Sequence, residues 1–322
     1  MRKDVILVSA VSGDIGCSAI RSLSEEGCKI IGCDMNPYTP ILPFLKKFYK
    51  APPASEETEY IAFIKDIVNR ENVDYFVPIS EPEIKILNVR REEFSVLGVK
   101  LLINNRTIID NFLDKLKTAQ YLSNIAIKTP ETALLKEYDG RFDFPLIVKP
   151  RTGCGGKRLW KVEDSKDLDY VRLKDDGQLI VQEYVGSDSE EYTTGVFSDG
   201  RKVSSITFRR KLGLGGLSVE AVLVDEPFIE HLASRIASAV SLIGSINVQT
   251  RCIVDDKIFV PFEINPRLSS TLLFRKKFGF DDLIWWMDVF CGKGYSYEKK
   301  YKSGKAVRHL SECYFDMVEL DK

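Results

Sequence analysis

Four absences narrow the classes of protein to which this sequence could belong. No run of apolar residues approaches the roughly 18 that a membrane-spanning helix needs. The formal net charge is only -1, so the total charge does not indicate a nucleic-acid or membrane-surface partner. The seven cysteines include no CxxC pair, and the N-terminus shows no cleavable signal pattern. We therefore expect a cytoplasmic protein with free thiols and no membrane or nucleic-acid partner.

Histidine is also scarce. The two histidines, His231 and His309, form no recognisable acid–base pair, and His231 falls in a predicted amphipathic helix. The sequence has 322 residues, of which 44% are hydrophobic and 29% charged. Those values are ordinary for a soluble globular protein with two or three domains.

The first hundred residues alternate between strand and helix patterns. Strands are predicted at 5–8, 29–33, 74–79 and 99–103, and helices at 15–26, 60–70 and 83–91. This alternation predicts a parallel sheet covered by helices on both faces. The first loop, residues 9–16, resembles a degenerate dinucleotide loop, but it lacks the full glycine spacing and has Asp14 where a phosphate would approach. We favour a structural or acceptor-facing loop over a nucleotide site.

Residues 247–265 form a predicted β-hairpin whose polar side chains share one face. With a turn at 255–257, Gln249 lies opposite Glu263, and Asn247 lies opposite Asn265. The same register places Val254 opposite Ile258. The other face is then apolar except for one residue; its members are Val248, Thr250, Cys252, Val254, Ile258, Val260, Phe262 and Ile264.

The polar face of this hairpin suits magnesium and phosphate. It carries the carboxylate of Glu263, amides from Gln249 and Asn265, and Arg267 just beyond the second strand. Magnesium prefers oxygen ligands and usually keeps one or two protein carboxylates together with substrate phosphates. The alternative is the polar outer face of a surface hairpin.

A glycine-rich segment lies between two further predicted strands, 144–150 and 159–162. Gly153, Gly155 and Gly156 follow one another closely and are bracketed by cations, so their backbone amides could fold over phosphates. The segment is not a Walker A loop, because no G-K-[ST] follows. A glycine-rich hairpin turn explains it equally well.

A strand predicted at 179–185 leads into the polar segment 186–191, and a second strand resumes at 192–197. Backbone at the end of a strand can offer both a donor and an acceptor to the edge of an adenine. An ordinary connection between strands explains the same residues.

In order and spacing, these segments resemble the ATP-grasp superfamily, and in particular stand-alone relatives of the carbamoyl-phosphate synthase large-subunit ATP-binding module. The resemblance covers nearly the whole chain and weakens after about residue 290. It implies an α/β fold, α+β in the ATP-binding unit, with a parallel βα domain before a two-lobed ATP-grasp fold. The implied domains are a Rossmann-like domain at 1–112, a small lobe with the glycine-rich lid at 113–190, and a C-terminal lobe at 191–322.

The resemblance also implies roles for individual residues. Asp114-Lys115 matches the motif that opens the ATP-binding unit. The implied nucleotide-binding residues are Lys115, Lys149, the lid glycines Gly153, Gly155 and Gly156, the adenine hinge Gln182, Glu183, Tyr184 and Val185, and the ribose carboxylate Glu191. The implied magnesium ligands are Gln249, Glu263 and Asn265, and Arg267 holds the transferred phosphoryl group. Gly195 and Gln249 depart from the acids that the family often has at those positions.

The implied activity is a ligase that uses ATP and Mg²⁺, with Mn²⁺ as an alternative cation. It phosphorylates a small-molecule carboxylate to an acyl phosphate, which an amine or similar nucleophile then attacks. Arg210 is our candidate for orienting the acceptor carboxylate, although a solvated basic turn explains it equally well. The sequence leaves open whether the protein forms a homodimer. The alternatives are an ATP-binding regulatory protein without catalysis and, less favoured, an NAD(P)-dependent oxidoreductase.

Overall fold

The computed structural model describes residues 2–153, 158–255, 257–301, 303–309 and 313. The chain divides into two compact units. Unit 1 comprises residues 1–103, 270–296 and 307–322, and unit 2 comprises residues 104–269 and 297–306. The finer division of the ATP-binding part at residue 190 stays a prediction. Within the described part of the chain, no helix is long and apolar enough to cross a membrane.

Unit 1 is built on a parallel sheet with the strand order β3-β2-β1-β4-β5. Its strands are β1 (Val5–Ser9), β2 (Lys29–Asp34), β3 (Lys47–Lys50), β4 (Tyr75–Val77) and β5 (Lys100–Leu101). The helices between them are α1 (Asp14–Glu25), α2 (Glu57–Glu71) and α3 (Glu81–Val96). The central strand is inaccessible along Ile6, Leu7 and Val8, as expected for a parallel strand covered on both faces.

The predicted parallel sheet and its three helices are confirmed, with shifted ends. Strand β3 was not predicted from the sequence. This edge strand has two lysines around only two aromatic residues, so it gives no strand pattern of useful length.

In its described residues, unit 2 contains two sheets and four α-helices. The helices are α4 (Arg106–Phe112), α5 (Lys115–Asn124), α6 (Ser165–Arg172) and α7 (Pro227–Ala239). A four-stranded antiparallel sheet, ordered β6-β9-β7-β8, consists of β6 (Thr132–Leu134), β7 (Leu146–Pro150), β8 (Trp160–Val162) and β9 (Leu179–Glu183). A six-stranded sheet, ordered β14-β13-β10-β11-β12-β15, consists of β10 (Glu191–Asp199), β11 (Val203–Leu212), β12 (Ser218–Val224), β13 (Ile243–Ile253), β14 (Ile258–Asn265) and β15 (Gly304–Val307).

The β13–β14 hairpin confirms the predicted pairing next to the candidate site and corrects it near the turn. Gln249 pairs with Glu263 and Asn247 pairs with Asn265, as predicted. A β-bulge then shifts the register, so Ile258 pairs with Ile253 and the prediction of Val254 as its partner was wrong. Val254 is 63% exposed, and so it does not belong to a buried apolar face.

The apolar face of the six-stranded sheet packs on α4, α5 and α7. Val248 and Ile264 of the hairpin join Phe112, Leu122 and Ile236 in one buried cluster. Because side chains alternate along a strand, this burial turns Gln249 and Glu263 to the opposite face. The core of unit 2 thus fixes the orientation of the candidate site.

The chain returns to unit 1 after residue 269 with α8 (Leu272–Lys277) and α9 (Asp282–Phe290). The apolar helix α9 packs on the core, with Leu283, Trp286 and Met287 buried. Arg275 and Asp282 form an ion pair of 2.7 Å with both side chains inaccessible.

Candidate functional site

The centre of the site is the carboxylate of Glu263 on β14. Asn265 Nδ2 donates a hydrogen bond to Glu263 Oε1 at 3.2 Å, and Gln249 lies opposite on β13. Burial opposes ionisation of Glu263, but the positive charges of Lys115, Lys149 and Arg210 outweigh it and lower the pKa of this carboxyl. The hairpin therefore presents an anionic oxygen ligand beside two amide side chains.

Lys149 lies on β7 and is 6% exposed. Burial lowers the pKa of its ammonium to about 8, although Glu263 acts in the opposite direction. Its Nζ lies 5.4 Å from the centre of the Phe262 ring. This contact corrects the prediction that Phe262 belongs to the apolar face, because the bulge turns its ring toward a residue of the site.

Lys115 opens α5 directly after its N-cap, Asp114. The Asp114 carboxylate accepts hydrogen bonds from the backbone N–H groups of Leu116 and Lys117 and so caps the helix. Lys115 Nζ donates to the carbonyl of Gly153 at 2.6 Å. Gly153 has a φ of +95°, which glycine adopts without strain. The remaining lid residues of the prediction, Gly155 and Gly156, lie outside the described residues.

Glu191 is bound by two arginines. Its Oε1 accepts hydrogen bonds from Nε and Nη2 of Arg210 at 2.9 and 2.6 Å. Its Oε2 accepts from Nε and Nη2 of Arg251 at 3.0 and 2.9 Å. Arg210 Nη2 also donates to Gln249 Oε1 at 2.9 Å. Arg210 thus links Glu191, the predicted ribose-binding residue, to Gln249, a predicted magnesium ligand. The role of Arg210 in orienting an acceptor carboxylate stays a prediction.

The predicted adenine hinge follows β9. Gln182 is buried and donates from Nε2 to the Thr132 hydroxyl at 2.9 Å, while Glu183 Oε2 accepts from the backbone N–H of Glu131 at 2.8 Å. Both side chains therefore bind the neighbouring strand segment. Tyr184 and Val185 continue the hinge and are half-buried. Adenine recognition by this segment stays a prediction.

An aromatic and cationic cluster lies next to the hinge and was missed by the sequence analysis. The guanidinium carbon of Arg251 lies 5.1 Å from the ring centre of Tyr184 and 5.5 Å from that of Phe262. Lys161 Nζ lies 4.9 Å from the Tyr184 ring. Arg251 follows Gln249 by two residues on β13, so the alternation of strand side chains was an available signal.

Arg267 follows β14 and is 9% exposed. Its Nη1 donates a hydrogen bond to the Leu268 carbonyl at 3.0 Å. The backbone therefore holds the guanidinium close to the end of the strand that carries Glu263. Its contact with a phosphoryl group stays a prediction.

Cations outnumber carboxylates in this site. Lys115, Lys149, Arg210 and Arg251 interact with Glu191 or Glu263, and Arg251 also pairs with the exposed Asp188 at 2.7 Å, so four positive charges face three negative ones. An excess of positive charge in a partly buried site favours a phosphate-bearing ligand. The described residues contain no cluster of three His, Cys, Asp or Glu side chains that could hold a metal alone. Glu263 with amide oxygens and ligand phosphates is the donor set that fits Mg²⁺.

Comparison with known families agrees with this geometry. Residues 112–271 match the ATP-grasp domain family, and residues 8–102 match the PylC-like N-terminal domain family. The chain therefore contains an ATP-grasp domain that follows a PylC-like N-terminal domain. Its site hairpin, the Lys149 strand and the Glu191 strand all fall inside the matched ATP-grasp region.

The alignments with relatives cover most of this chain but a smaller share of each relative's own length. The carbamoyl phosphate synthase large chain of Pseudothermotoga lettingae is 25% identical over 284 residues, which are 80% of this chain and 24% of that protein. This chain therefore spans about a quarter of that relative's length.

Solved structures show the same fold at low identity. The biotin carboxylase domain of Hydrogenobacter thermophilus 2-oxoglutarate carboxylase, solved with MgADP, ADP and bicarbonate, aligns with a TM-score of 0.74 at 15% identity. The alignment covers 93% of this chain and 72% of that one. The L-amino acid ligase of Bacillus licheniformis aligns with a TM-score of 0.71 at 16% identity, over 89% and 74% of the two chains.

Proposed function

We propose that this protein is a Mg²⁺- and ATP-dependent carboxylate–amine ligase that releases ADP and phosphate. The observation that carries the proposal is the hairpin carboxylate of Glu263, whose pKa is lowered by Lys115 and Lys149 within an ATP-grasp domain. That arrangement supplies a metal ligand and phosphate-binding cations in the same place.

The reaction has two steps. A carboxylate oxygen of the acceptor attacks the γ-phosphorus of ATP, the bond to the β-phosphate oxygen breaks, and ADP leaves. The amine nitrogen then attacks the carbonyl carbon of the acyl phosphate, phosphate leaves with the bonding electrons, and the amine loses a proton. Phosphoryl transfer of this kind depends mainly on positioning and charge neutralisation.

Each residue has a defined part in this scheme. Lys115 and Lys149 bind phosphate oxygens, and Arg267 holds the transferred phosphoryl group. Glu263, Asn265 and Gln249 would hold Mg²⁺, which neutralises charge on the β- and γ-phosphates when bound. The Arg210–Gln249 hydrogen bond fixes the orientation of the Gln249 amide.

The relatives support the reaction class and leave the substrates open. Their names include a carbamoyl phosphate synthase large chain and an L-amino acid ligase, and one structure contains bicarbonate. We therefore propose a small carboxylate or bicarbonate as the acceptor class. Because this chain overlaps only a short part of the synthase large chain, we do not propose the whole activity of that enzyme for this protein.

The test uses hydroxylamine as a general nucleophile. The protein is incubated with Mg-ATP, hydroxylamine and, in turn, bicarbonate, L-amino acids, hydroxy acids and dipeptides, while ADP release is followed. Hydroxamate formation is measured with the organic acids. Glu263→Gln should lose activity, because a neutral amide replaces the charged metal ligand. Glu220→Gln is the matched control, since Glu220 lies on β12 and pairs with Lys305.

Acid-dependent ADP release, with hydroxamate from an organic acid, would support the ligase. Undiminished ADP release by the Glu263→Gln variant would contradict the assigned metal ligand. Tight Mg-ATP binding with no ADP release on any acid would instead favour an ATP-binding regulatory protein.

A further inference from the structure

Unit 1 contains a cavity of about 670 Å³ at the carboxyl ends of its parallel strands. Its lining includes Ala10 after β1, Asp34 at the end of β2, Ala51 after β3 and Ser80 after β4. The chain runs from β1 outward to β2 and β3, and then continues with β4 on the other side of β1. Open α/β sheets bind ligands in the crevice where the strand order reverses in this way.

The helices that begin at this edge carry their own carboxylates. Asp14 lies in the first turn of α1, Glu57 and Glu59 in that of α2, and Glu81 and Glu83 in that of α3. The first turn of a helix otherwise offers free N–H groups and a partial positive charge to a bound phosphate. Protein carboxylates already lie in the first turn of all three helices. They make this edge less favourable for an anionic ligand.

The hydrogen bonds around the cavity also disfavour an anionic ligand. Glu83 is 6% exposed, and its carboxylate accepts from the Tyr60 hydroxyl at 2.7 Å and from the Ser9 hydroxyl at 3.0 Å. Both hydroxyl protons are thus committed to Glu83. Asp34 Oδ2 accepts from the backbone N–H of Ser12 at 2.8 Å, which commits a loop donor as well. These three donors are therefore already used by the protein.

The remaining lining is acidic and apolar. The lining contains three carboxylates, those of Asp34, Glu57 and Glu83. Among the described lining residues the one cation is Lys85. Arg90 pairs with Glu57 at 3.3 Å on the exposed rim. Apolar walls come from residues that include Met35, Pro52, Pro53, Ile86 and Val89.

We propose that this cavity binds a small organic cation, an ammonium group carried on an apolar body. The carboxylates bind the ammonium, and the apolar walls bury the body. The site lies within unit 1, and its test needs neither nucleotide nor turnover, so the inference does not rest on the proposed ligase activity.

The test compares three probes with the same aromatic body: benzylammonium, benzyl alcohol and benzoate. They are titrated into the full-length protein labelled with ¹³C at the methionine methyl groups. Met35 reports on the cavity, and its resonance is assigned with Met35→Leu. Met287 is fully buried in α9 and serves as the internal control. Benzylammonium should shift Met35 saturably, benzyl alcohol more weakly, and benzoate not at all.

Charge substitutions with opposite signs sharpen this test. Lys85→Gln should tighten benzylammonium binding, and Glu57→Gln should weaken it, each by roughly twofold to fivefold, the range of a solvent-exposed ion pair. Glu59→Gln is the control, because Glu59 shares the first turn of α2 but does not line the cavity. An unchanged Met287 resonance shows that each variant is folded.

Any of three results would overturn the proposal. The first is a benzoate-induced shift of Met35 as large as that of benzylammonium, and the second is no saturable shift with benzylammonium up to its solubility limit. The third is a pair of Lys85 and Glu57 variants that change the affinity in the same direction or leave it unchanged.

Discussion

Lys149 gives the sharpest prediction because one buried charge affects both stability and ligand binding. Burial lowers the pKa of its ammonium from 10.5 to about 8, with Glu263 opposing the shift and Lys115 and Arg251 adding to it. This difference corresponds to about 3 kcal/mol of unfavourable free energy for the charged form in the folded protein. The charged ammonium of Lys149, buried close to other cations, therefore lowers the free energy of unfolding.

The sign of the pH dependence follows from the lowered pKa. Below about pH 8 the lysine is protonated in both the folded and unfolded states, and the full penalty is present. The penalty disappears as the pH rises from about 8 to 10.5, because the folded protein releases its proton first. Lys149→Met should therefore stabilise the ligand-free protein at pH 7 by up to about 3 kcal/mol. Denaturant unfolding of both proteins measures this difference.

Unlike folding stability, nucleotide binding should be favoured by the charged form of Lys149. The charged ammonium binds phosphate, so deprotonation between pH 7 and 9 should raise the apparent Kd for a non-hydrolysable ATP analogue about tenfold. Lys149→Met should bind weakly with little pH dependence over this range, whereas Lys149→Arg should keep its affinity at pH 9. A methionine variant that is less stable at pH 7 and retains the wild-type pH profile would refute this reasoning.

Two further predictions concern stability and are measured by denaturant unfolding. Asp282→Asn should destabilise the protein by about 3–5 kcal/mol, because it leaves the fully buried Arg275 beside a neutral partner. Replacing the pair together, Arg275→Met with Asp282→Leu, should cost less, and a greater loss in the double variant would contradict this account. Gly16→Ala should destabilise by about 1–3 kcal/mol, because the added Cβ would lie 2.4 Å from the Ala10 carbonyl oxygen. Gly13→Ala is its control, since its Cβ would lie 3.5 Å from the same oxygen, and equal losses in the two variants would show that the close approach is not the cause.

The sequence predicted the part of the site that depends on strand alternation. The pairing of Gln249 with Glu263 follows from a period of two that buries Val248 and Ile264. The bulge at Phe262 broke this pattern. It lies beside Pro261, whose missing N–H cannot contribute to a regular ladder.

Contacts between distant segments were beyond the reach of the sequence pattern. Glu191 and Arg251 meet because β10 pairs with β13, which places these two residues opposite each other across 60 positions of chain. Local periodicity predicts each strand but not which strands become neighbours. The same holds for the bond from Arg210 to Gln249, which spans two strand pairings.

We propose that a nucleotide and Mg²⁺ bind together at Glu263 and Lys149. The most direct test is calorimetric titration of the full-length protein with a non-hydrolysable ATP analogue, with and without Mg²⁺. We expect binding that Mg²⁺ strengthens in the wild type and in Glu220→Gln, and a loss of that Mg²⁺ effect in Glu263→Gln. Absence of binding under both conditions, or an unchanged Mg²⁺ effect in Glu263→Gln, would contradict the account.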